Sequence, residues 1–145
     1  MTTVRQILQT KGSDVWSVES ETTAYDAIKL MADKNVGALL VIDDDQVVGI
    51  MSERDYARKV ALHGRVSRTT AVAEIMTEKV ISVRPDHTVD ACMVLMTDKH
   101  IRHLPVIDDD EILHGIISIG DVVKMVISEQ QMMIDHLQDY ITSGG

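Results

Sequence analysis

Aromatic residues are scarce in this chain of 145 residues. It has no phenylalanine, one tryptophan and three tyrosines, although 45% of its residues are hydrophobic. A core built from this sequence must therefore be aliphatic, filled by valine, isoleucine, leucine and the nine methionines. At this length a chain can bury about two thirds of its unfolded surface, which is enough for a stable core without disulfides or metals.

Cysteines and long apolar runs are scarce too. The single cysteine, Cys92, excludes an internal disulfide and fits a reducing compartment. No charged-then-apolar leader opens the sequence, and no apolar run approaches the length that spans a membrane. These absences predict a soluble, cytoplasmic protein.

Motifs typical of catalysis or metal binding are missing as well. The sequence has no nucleophile elbow, no phosphate-binding glycine loop and no paired Cys/His spacing. His100 and His103 fall where a helix end passes into a strand, so they are not expected to converge on one metal. Cys92 lies on an apolar helix stripe without a basic neighbour, which favours a structural thiol over a reactive one. We therefore predict that the protein is not an enzyme, and keep an enzyme that uses Cys92 or a histidine as a third alternative.

Positive charge is also in deficit, because the net charge is −9. Such a chain repels a phosphate backbone, which argues against nucleic acid as a partner. The sign reverses locally between Glu53 and Arg68, where five basic residues face two acidic ones. This segment leaves room for a small anion.

The most informative feature present is an internal duplication. Residues 15–45 and 80–110 align with 14 identities in 31 positions, where chance gives about two. The register resumes one residue later, where GIMSERD (49–55) aligns with GIISIGD (115–121). A unit that folds against its own copy is expected to form a pseudo-twofold cleft.

Each copy predicts strand, helix, strand, turn, strand and helix, with VWSV and VISV as the first strands. The first helix of each copy carries an apolar stripe at helical spacing, formed by Ala24, Ala27, Ile28 and Met31 and by Val89, Cys92, Met93 and Met96. The runs VGALLVI and IRHLPVI suit strands that are covered on both faces. The carboxylates of Asp43–Asp45 and Asp108–Asp110 favour solvated turns over calcium ligands, because no glutamate follows at the end of a calcium loop. Residues 64–71 are the predicted linker, and VRQIL and VAEIM form similar lead-ins to the two copies.

The last helix is predicted to outlast the repeat. Its apolar residues keep a 4,3 spacing that Gln130 interrupts. The stripe is expected to pack on the first copy or on a second subunit, and two heptads favour ordinary tertiary packing over a coiled coil. The predicted division is 1–66 for the first repeat with its lead-in, 67–127 for the second repeat, and 128–145 for the C-terminal helix and tail.

The recurring Ser-x-x-Asp supports two interpretations. It forms a capping box, in which Ser52 or Ser118 caps a helix start and Asp55 or Asp121 reaches back. A helix start also attracts phosphate, and a carboxylate there can accept hydrogen bonds from both hydroxyls of a ribose. The spacing alone favours the cap.

The duplicated pattern resembles a tandem pair of cystathionine beta-synthase (CBS) domains, called a Bateman module. The marks are the strand before PDHTV, the RHLPVIDDD run, and the G-I-[MI]-S-x-x-D that closes each copy, and the likeness covers about residues 4–127. SERDYARK, RHLPV and SIGDVVK look most like the small stand-alone pairs. The resemblance implies an α+β fold of two β-α-β-β-α repeats with pseudo-twofold symmetry.

The resemblance also implies a ligand that contains adenosine, such as AMP, ADP, ATP or NAD, bound between the repeats as a regulatory signal. By motif, the first site would comprise Thr22, Val36, Gly37, Ala38, Ser118 and Asp121. The second site would comprise His87, Ile101, Arg102, His103, Ser52 and Asp55. In each, the serine and aspartate would hold the ribose.

The two implied sites differ in charge. Arg54 precedes Asp55 and could meet a phosphate, whereas Gly120 holds the matching position. Arg102 and His103 stand where the first copy has Gly37 and Ala38, small residues that let a flat base approach the backbone. These cations are either surface charges or anion ligands, and in a chain of net charge −9 we favour anion binding.

The leading hypothesis is a non-catalytic sensor module that forms a homodimer, with a client protein as a possible partner. It needs no catalytic cofactor, and neither nucleic acid nor a membrane is expected as a partner. The alternative is an interaction protein with a vestigial cleft that acts through its C-terminal helix.

Overall fold

The computed structural model describes residues 2–144, with the backbone alone for residues 143 and 144. Met1 and Gly145, the ends of the predicted division, lie outside the described residues. The chain packs as two compact units. The first-repeat unit is residues 14–81, and the second-repeat unit joins the residues before position 14 to those after position 81.

Both units contain helices and strands. In chain order they are α1 (Val4–Lys11), β1 (Ser17–Val18), α2 (Ala24–Lys34), β2 (Ala38–Asp43), β3 (Gln46–Ser52), α3 (Glu53–Tyr56), α4 (Val89–Lys99), β4 (His103–Ile107), β5 (Leu113–Ser118) and α5 (Ile119–Gly144). Helix α3 runs into a π-helical turn (Ala57–Ala61), and a 3-10 turn (Val72–Glu74) precedes α4.

Helix α2 of the first-repeat unit and helix α4 of the second-repeat unit have the same length and the same kinds of cap. Thr23 and Thr88 cap them, each accepting a hydrogen bond of 3.1 Å from a backbone N–H in the first turn. Asn35 and His100 end them in the left-handed conformation. The predicted apolar stripes are confirmed, with these residues buried: Ala24, Ala27, Met31, Val89, Cys92 and Met96.

The strands confirm the predicted α+β class. In the first-repeat unit β1 is parallel to β2, and β2 is antiparallel to β3. In the second-repeat unit β4 and β5 form an antiparallel pair. Residues 38–41 of β2 and 104–106 of β4 are buried, as the apolar runs predicted.

The predicted strand VISV (80–83) is wrong for most of its length. Only Val83 pairs, through an isolated parallel bridge to Val106. In the first-repeat unit, Leu40 N donates to Trp16 O at 3.3 Å. Pro105 occupies the position that matches Leu40 and has no N–H to donate to residue 81. The second copy of this strand is therefore reduced to a single bridge.

The two lead-ins pack in the unit of the other repeat. VRQIL (4–8) lies in the second-repeat unit, and VAEIM (72–76) lies in the first-repeat unit. Each approaches a glycine: a Cβ on Gly49 would lie 2.6 Å from Met76 Sδ, and one on Gly115 would lie 2.8 Å from Leu8 Cδ2. The packing units thus differ from the sequence division at residue 66, which stays a prediction about the repeats.

The predicted linker, residues 64–71, is packed instead of free. Ser67 O and Thr70 O accept hydrogen bonds from the first turn of α2, and the Arg68 guanidinium lies 4.0 Å from the centre of the Tyr25 ring. Thr70 is only 5% exposed. The chain passes between the units after residues 13 and 81.

Helix α5 leaves its apolar stripe uncovered by this chain. The stripe is 41–70% exposed, so packing within this chain does not bury it, and contact with a second subunit stays a prediction. Among residues 119–142 of this helix, only Val122, near its start, is fully buried. The exposed stripe comprises Val123, Ile127, Ile134, Leu137 and Ile141. Within residues 2–144, no helix is both long and apolar enough to span a bilayer.

Candidate functional site

The two Ser-x-x-Asp motifs both form the predicted helix caps. Asp55 N donates to Ser52 Oγ at 3.2 Å, and Ser52 N donates to Asp55 Oδ2 at 2.9 Å. Asp121 N and Ser118 N make the matching bonds at 3.2 and 2.8 Å. The capping interpretation is confirmed, and it does not exclude ribose binding because a carboxylate has two oxygens and about four acceptor positions.

The strand that opens with the predicted base-binding residues lies beside each cap. In the first-repeat unit, Ala38 pairs with Ser52, and Glu53 N donates to Gly37 O at 3.1 Å. In the second-repeat unit, His103 pairs with Ser118, and Ile119 N donates to Arg102 O at 2.8 Å. A helix start, a carboxylate and a strand end therefore meet once within each unit.

The remaining predicted residues occupy loops around these pairs. Thr22 lines an open depression of about 700 Å³ whose wall includes the carboxylates of Glu19, Asp44 and Asp45, a poor setting for phosphate. His87 Nδ1 accepts a hydrogen bond from Arg84 N at 3.1 Å. Val36 and Ile101 each follow a helix end and bond back to its last turn. Arg54 is exposed on α3, directly before Asp55.

The assignment of residues to two sites stays a prediction. Thr22, residues 36–38 and the Ser52 motif belong to the first-repeat unit. His87, residues 101–103 and the Ser118 motif belong to the second-repeat unit. Each predicted site combines residues of both units, whereas contacts inside each unit link a strand start to its own cap.

Each capping aspartate also forms an ion pair with a lysine that was not predicted from the sequence. Lys59 Nζ lies 3.1 Å from Asp55 Oδ1, and Lys11 Nζ lies 2.7 Å from Asp121 Oδ2. Lys59 follows Asp55 by four residues, a helical spacing that could have revealed it. Lys11 is separated from its partner by 110 residues, and no local pattern signals that contact.

Electrostatics around Asp121 follow from these contacts. Burial raises the pKa of the Asp121 carboxyl, but hydrogen bonds from Lys11 and Ser118 outweigh it and hold the pKa below its ordinary value. Burial and the charge of Lys11 lower the pKa of His103, so its imidazole is uncharged at neutral pH. Lys11 is therefore the cation that contacts this carboxylate, at 2.7 Å.

The family model described as CBS domain matches this chain twice, at residues 4–62 and 72–128. The chain belongs to the CBS-domain family. The CBS domain-containing protein CBSX3, mitochondrial, of Arabidopsis thaliana is 42% identical over 153 residues, covering 99% of this chain and 73% of that protein. The resemblance inferred from the repeated motif is thereby confirmed.

Solved structures share the CBS-pair fold. A protein with CBS domains from Burkholderia ambifaria is 55% identical with a TM-score of 0.86, covering 89% of this chain and 96% of that one. The CBS domain pair of protein MJ0100, solved in complex with 5-methylthioadenosine and S-adenosyl-L-methionine, is 26% identical with a TM-score of 0.78. That match covers 89% of this chain and 98% of MJ0100's pair. CBS-domain pairs are regulatory modules, and MJ0100 binds compounds that contain adenosine.

The CBS pair offers no metal site within residues 2–144, where no cluster of three or more suitable side chains occurs. His114 of β5 is hydrogen-bonded to Asp108, which precedes the strand, at 2.7 Å. Cys92 is fully buried, and burial raises the pKa of its thiol to about 11. A thiol of that pKa is almost entirely protonated at neutral pH, so it is a poor nucleophile.

Proposed function

We propose that this CBS pair is a non-catalytic regulatory module that binds a ligand containing adenosine, namely AMP, ADP, ATP or NAD. The observation that carries the proposal is the pair of carboxylates, Asp55 and Asp121, each fixed at a helix start beside a strand end. A carboxylate so placed accepts hydroxyl hydrogen bonds, and the adjacent lysine attracts phosphate. The complex of MJ0100 with two adenosine compounds supports this ligand class.

The residues that we propose for binding are those assigned from the sequence. Asp121, with Ser118, Thr22 and residues 36–38, would serve one ligand. Asp55, with Ser52, Arg54, His87 and residues 101–103, would serve the other. A regulatory effect requires that the ligand bind one conformation of the protein better than another.

Calorimetric titration and thermal melts with AMP, ADP, ATP and NAD test the proposal. A ligand at 100 times its Kd should stabilise the folded protein by about 2.7 kcal/mol. Asp121→Ala and Asp55→Ala should each weaken binding, whereas Asp98→Ala, an exposed acid at the end of α4, is the matched control. The proposal would be refuted if the wild-type protein bound none of these four ligands and did not bind 5-methylthioadenosine either.

A second candidate function follows from the exposed stripe on α5, which fits an interaction module or a homodimer contact. Gln130 interrupts the stripe, and an amide pairs best with the identical amide of a second copy, since each supplies a donor and an acceptor. Single cysteines at Gln130 and Ile134 should then give disulfide-linked dimers, and a cysteine at Asp135, which lies about 100° around the helix from Ile134, should give fewer. Loss of self-association on removing residues 128–145, with unchanged nucleotide affinity, would separate this role from the ligand role.

Localisation in the cytoplasm is part of the proposal, although CBSX3 is a mitochondrial protein. Fractionation of the source cells with a tagged chain measures it directly. Recovery from an organelle lumen would contradict it.

A further inference from the structure

Helix α1 places Lys11 beside the Asp121 carboxylate. Lys11 Nζ donates to Asp121 Oδ2 at 2.7 Å and to Ile116 O at 2.9 Å. The Lys11 side chain is 32% exposed and that of Asp121 is 18% exposed, so the pair is partly shielded from water. Charges in such a setting are costly to leave without a counter-charge.

Packing holds Lys11 in this position. Val4 and Ile7 of α1 are 0% and 2% exposed, and Leu8 sits over Gly115 of β5. Gly12 ends the helix with φ at 93°, and its N–H donates to Leu8 O at 2.8 Å. Lys11 is therefore placed by a helix whose apolar side is buried, although Lys11 itself lies at the surface.

The two capping aspartates differ in how many further hydrogen bonds their carboxylate oxygens can accept. Asp55 Oδ2 accepts from Ser52, while its Oδ1 is within 3.1 Å of Lys59 Nζ and 3.5 Å of Thr77 Oγ1. The backbone and lysine bonds to Asp121 both end on Oδ2. An ammonium has three N–H donors, and Lys11 gives one to Asp121 and one to Ile116 O. Asp121 and Lys11 are thus the better prepared pair for an added ligand.

We propose that Lys11 is a specificity-determining residue that selects ligands carrying a phosphate next to the ribose that Asp121 holds. The inference rests on the proposed function and narrows its ligand class. When ribose hydroxyls donate hydrogen bonds to the Asp121 carboxylate, the negative charge that this carboxylate offers to Lys11 is reduced. A ligand phosphate restores that charge by accepting the third N–H of Lys11, and a nucleoside without phosphate does not.

The test compares the affinity of AMP with that of adenosine by calorimetric titration. The wild-type protein should bind AMP more tightly, and Lys11→Met should reduce the AMP-to-adenosine affinity ratio about tenfold or more, the effect of a charge-assisted hydrogen bond. Lys11→Arg should keep a preference for AMP. Lys99→Met, which removes the same charge from the exposed last residue of α4, should leave the ratio unchanged.

A chemical measurement on the wild-type protein does not depend on the folding of variants. AMP should protect Lys11 from acetylation relative to Lys99, and adenosine should not. Equal affinity for AMP and adenosine, or a preference for AMP that survives in Lys11→Met, overturns the role of Lys11 while the proposed function stands. Failure of the wild-type protein to bind either ligand overturns both.

Discussion

Gly49→Ala tests the exchange of lead-ins between the repeats. Gly49 lies in the middle of β3, opposite Val41 in the register with β2. A Cβ at this position would lie 2.6 Å from Met76 Sδ and 3.0 Å from both Met76 Cγ and Thr77 O. Met76 is the last residue of the second lead-in, which belongs by sequence to the other repeat, and Thr77 follows it directly. The substitution therefore probes whether that segment packs on β3.

The expected cost follows from those distances. Carbon and sulfur atoms in contact prefer separations of about 3.5 Å or more, so Met76 Sδ must move by about 1 Å. Methionine is flexible and can move in part. Thr77 O cannot move freely, because Thr77 and Ile50 exchange backbone hydrogen bonds of 2.9 and 3.0 Å. We expect Gly49→Ala to lower the free energy of unfolding by about 1–3 kcal/mol, the usual range for overpacking.

A double-mutant cycle with Met76→Ala isolates the contact. Denaturant melts of the wild type, the two single variants and the double variant give the four free energies of unfolding. Met76→Ala removes the closest atoms and leaves the Thr77 carbonyl, so the double variant should be more stable than the sum of the single effects by about 1 kcal/mol. Additivity within about 0.5 kcal/mol would show that Met76 does not face Gly49 and would refute the packing.

The other predictions concern charges, caps and the thiol. Because the pKa of Asp121 is lowered by folding, its stabilisation should be present above about pH 3.8 and lost as the pH falls through its folded value, so acid melts of Asp121→Asn should show a weaker pH dependence than wild type. Ser52→Ala and Ser118→Ala should each cost about 1 kcal/mol in denaturant melts, and losses below about 0.3 kcal/mol would contradict the caps. Cys92, with a pKa of about 11, should react with a disulfide reagent at neutral pH only when the protein unfolds, and rapid labelling of the folded chain would contradict its burial.

Local patterns predicted the matched elements well. The apolar stripes of α2 and α4, the buried runs of β2 and β4 and the caps at Ser52 and Ser118 all depend on residues within one or two turns of each other. Such features follow from periodicity and side-chain chemistry alone. The duplication strengthened each prediction, because the same pattern occurred twice.

The failures involve residues that are distant in sequence. Pro105 removes a donor from a pairing partner more than twenty residues away, so the second copy of β1 could not be judged from VISV alone. The stripe on α5 has the spacing of a buried face, but nothing in a spacing says what covers it. Lys11 meets Asp121 across 110 residues of sequence, and its identity as a partner depends on where α1 packs.

The lysines make the two copies of the Ser-x-x-Asp motif unequal. In the first-repeat unit, Asp55 and Lys59 share one helical segment, so their contact is a local property of that segment. In the second-repeat unit, the matching role is played by α1, a separate helix held by Leu8 and buried apolar residues. A ligand phosphate that accepts the third N–H of Lys11 would add a contact to α1, whereas a ligand at Asp55 would meet a lysine on the same segment as its aspartate. The Asp121 side is therefore the one through which binding can alter the docking of another element, and hydrogen exchange of residues 4–11 should respond to AMP in wild type and not in Lys11→Met.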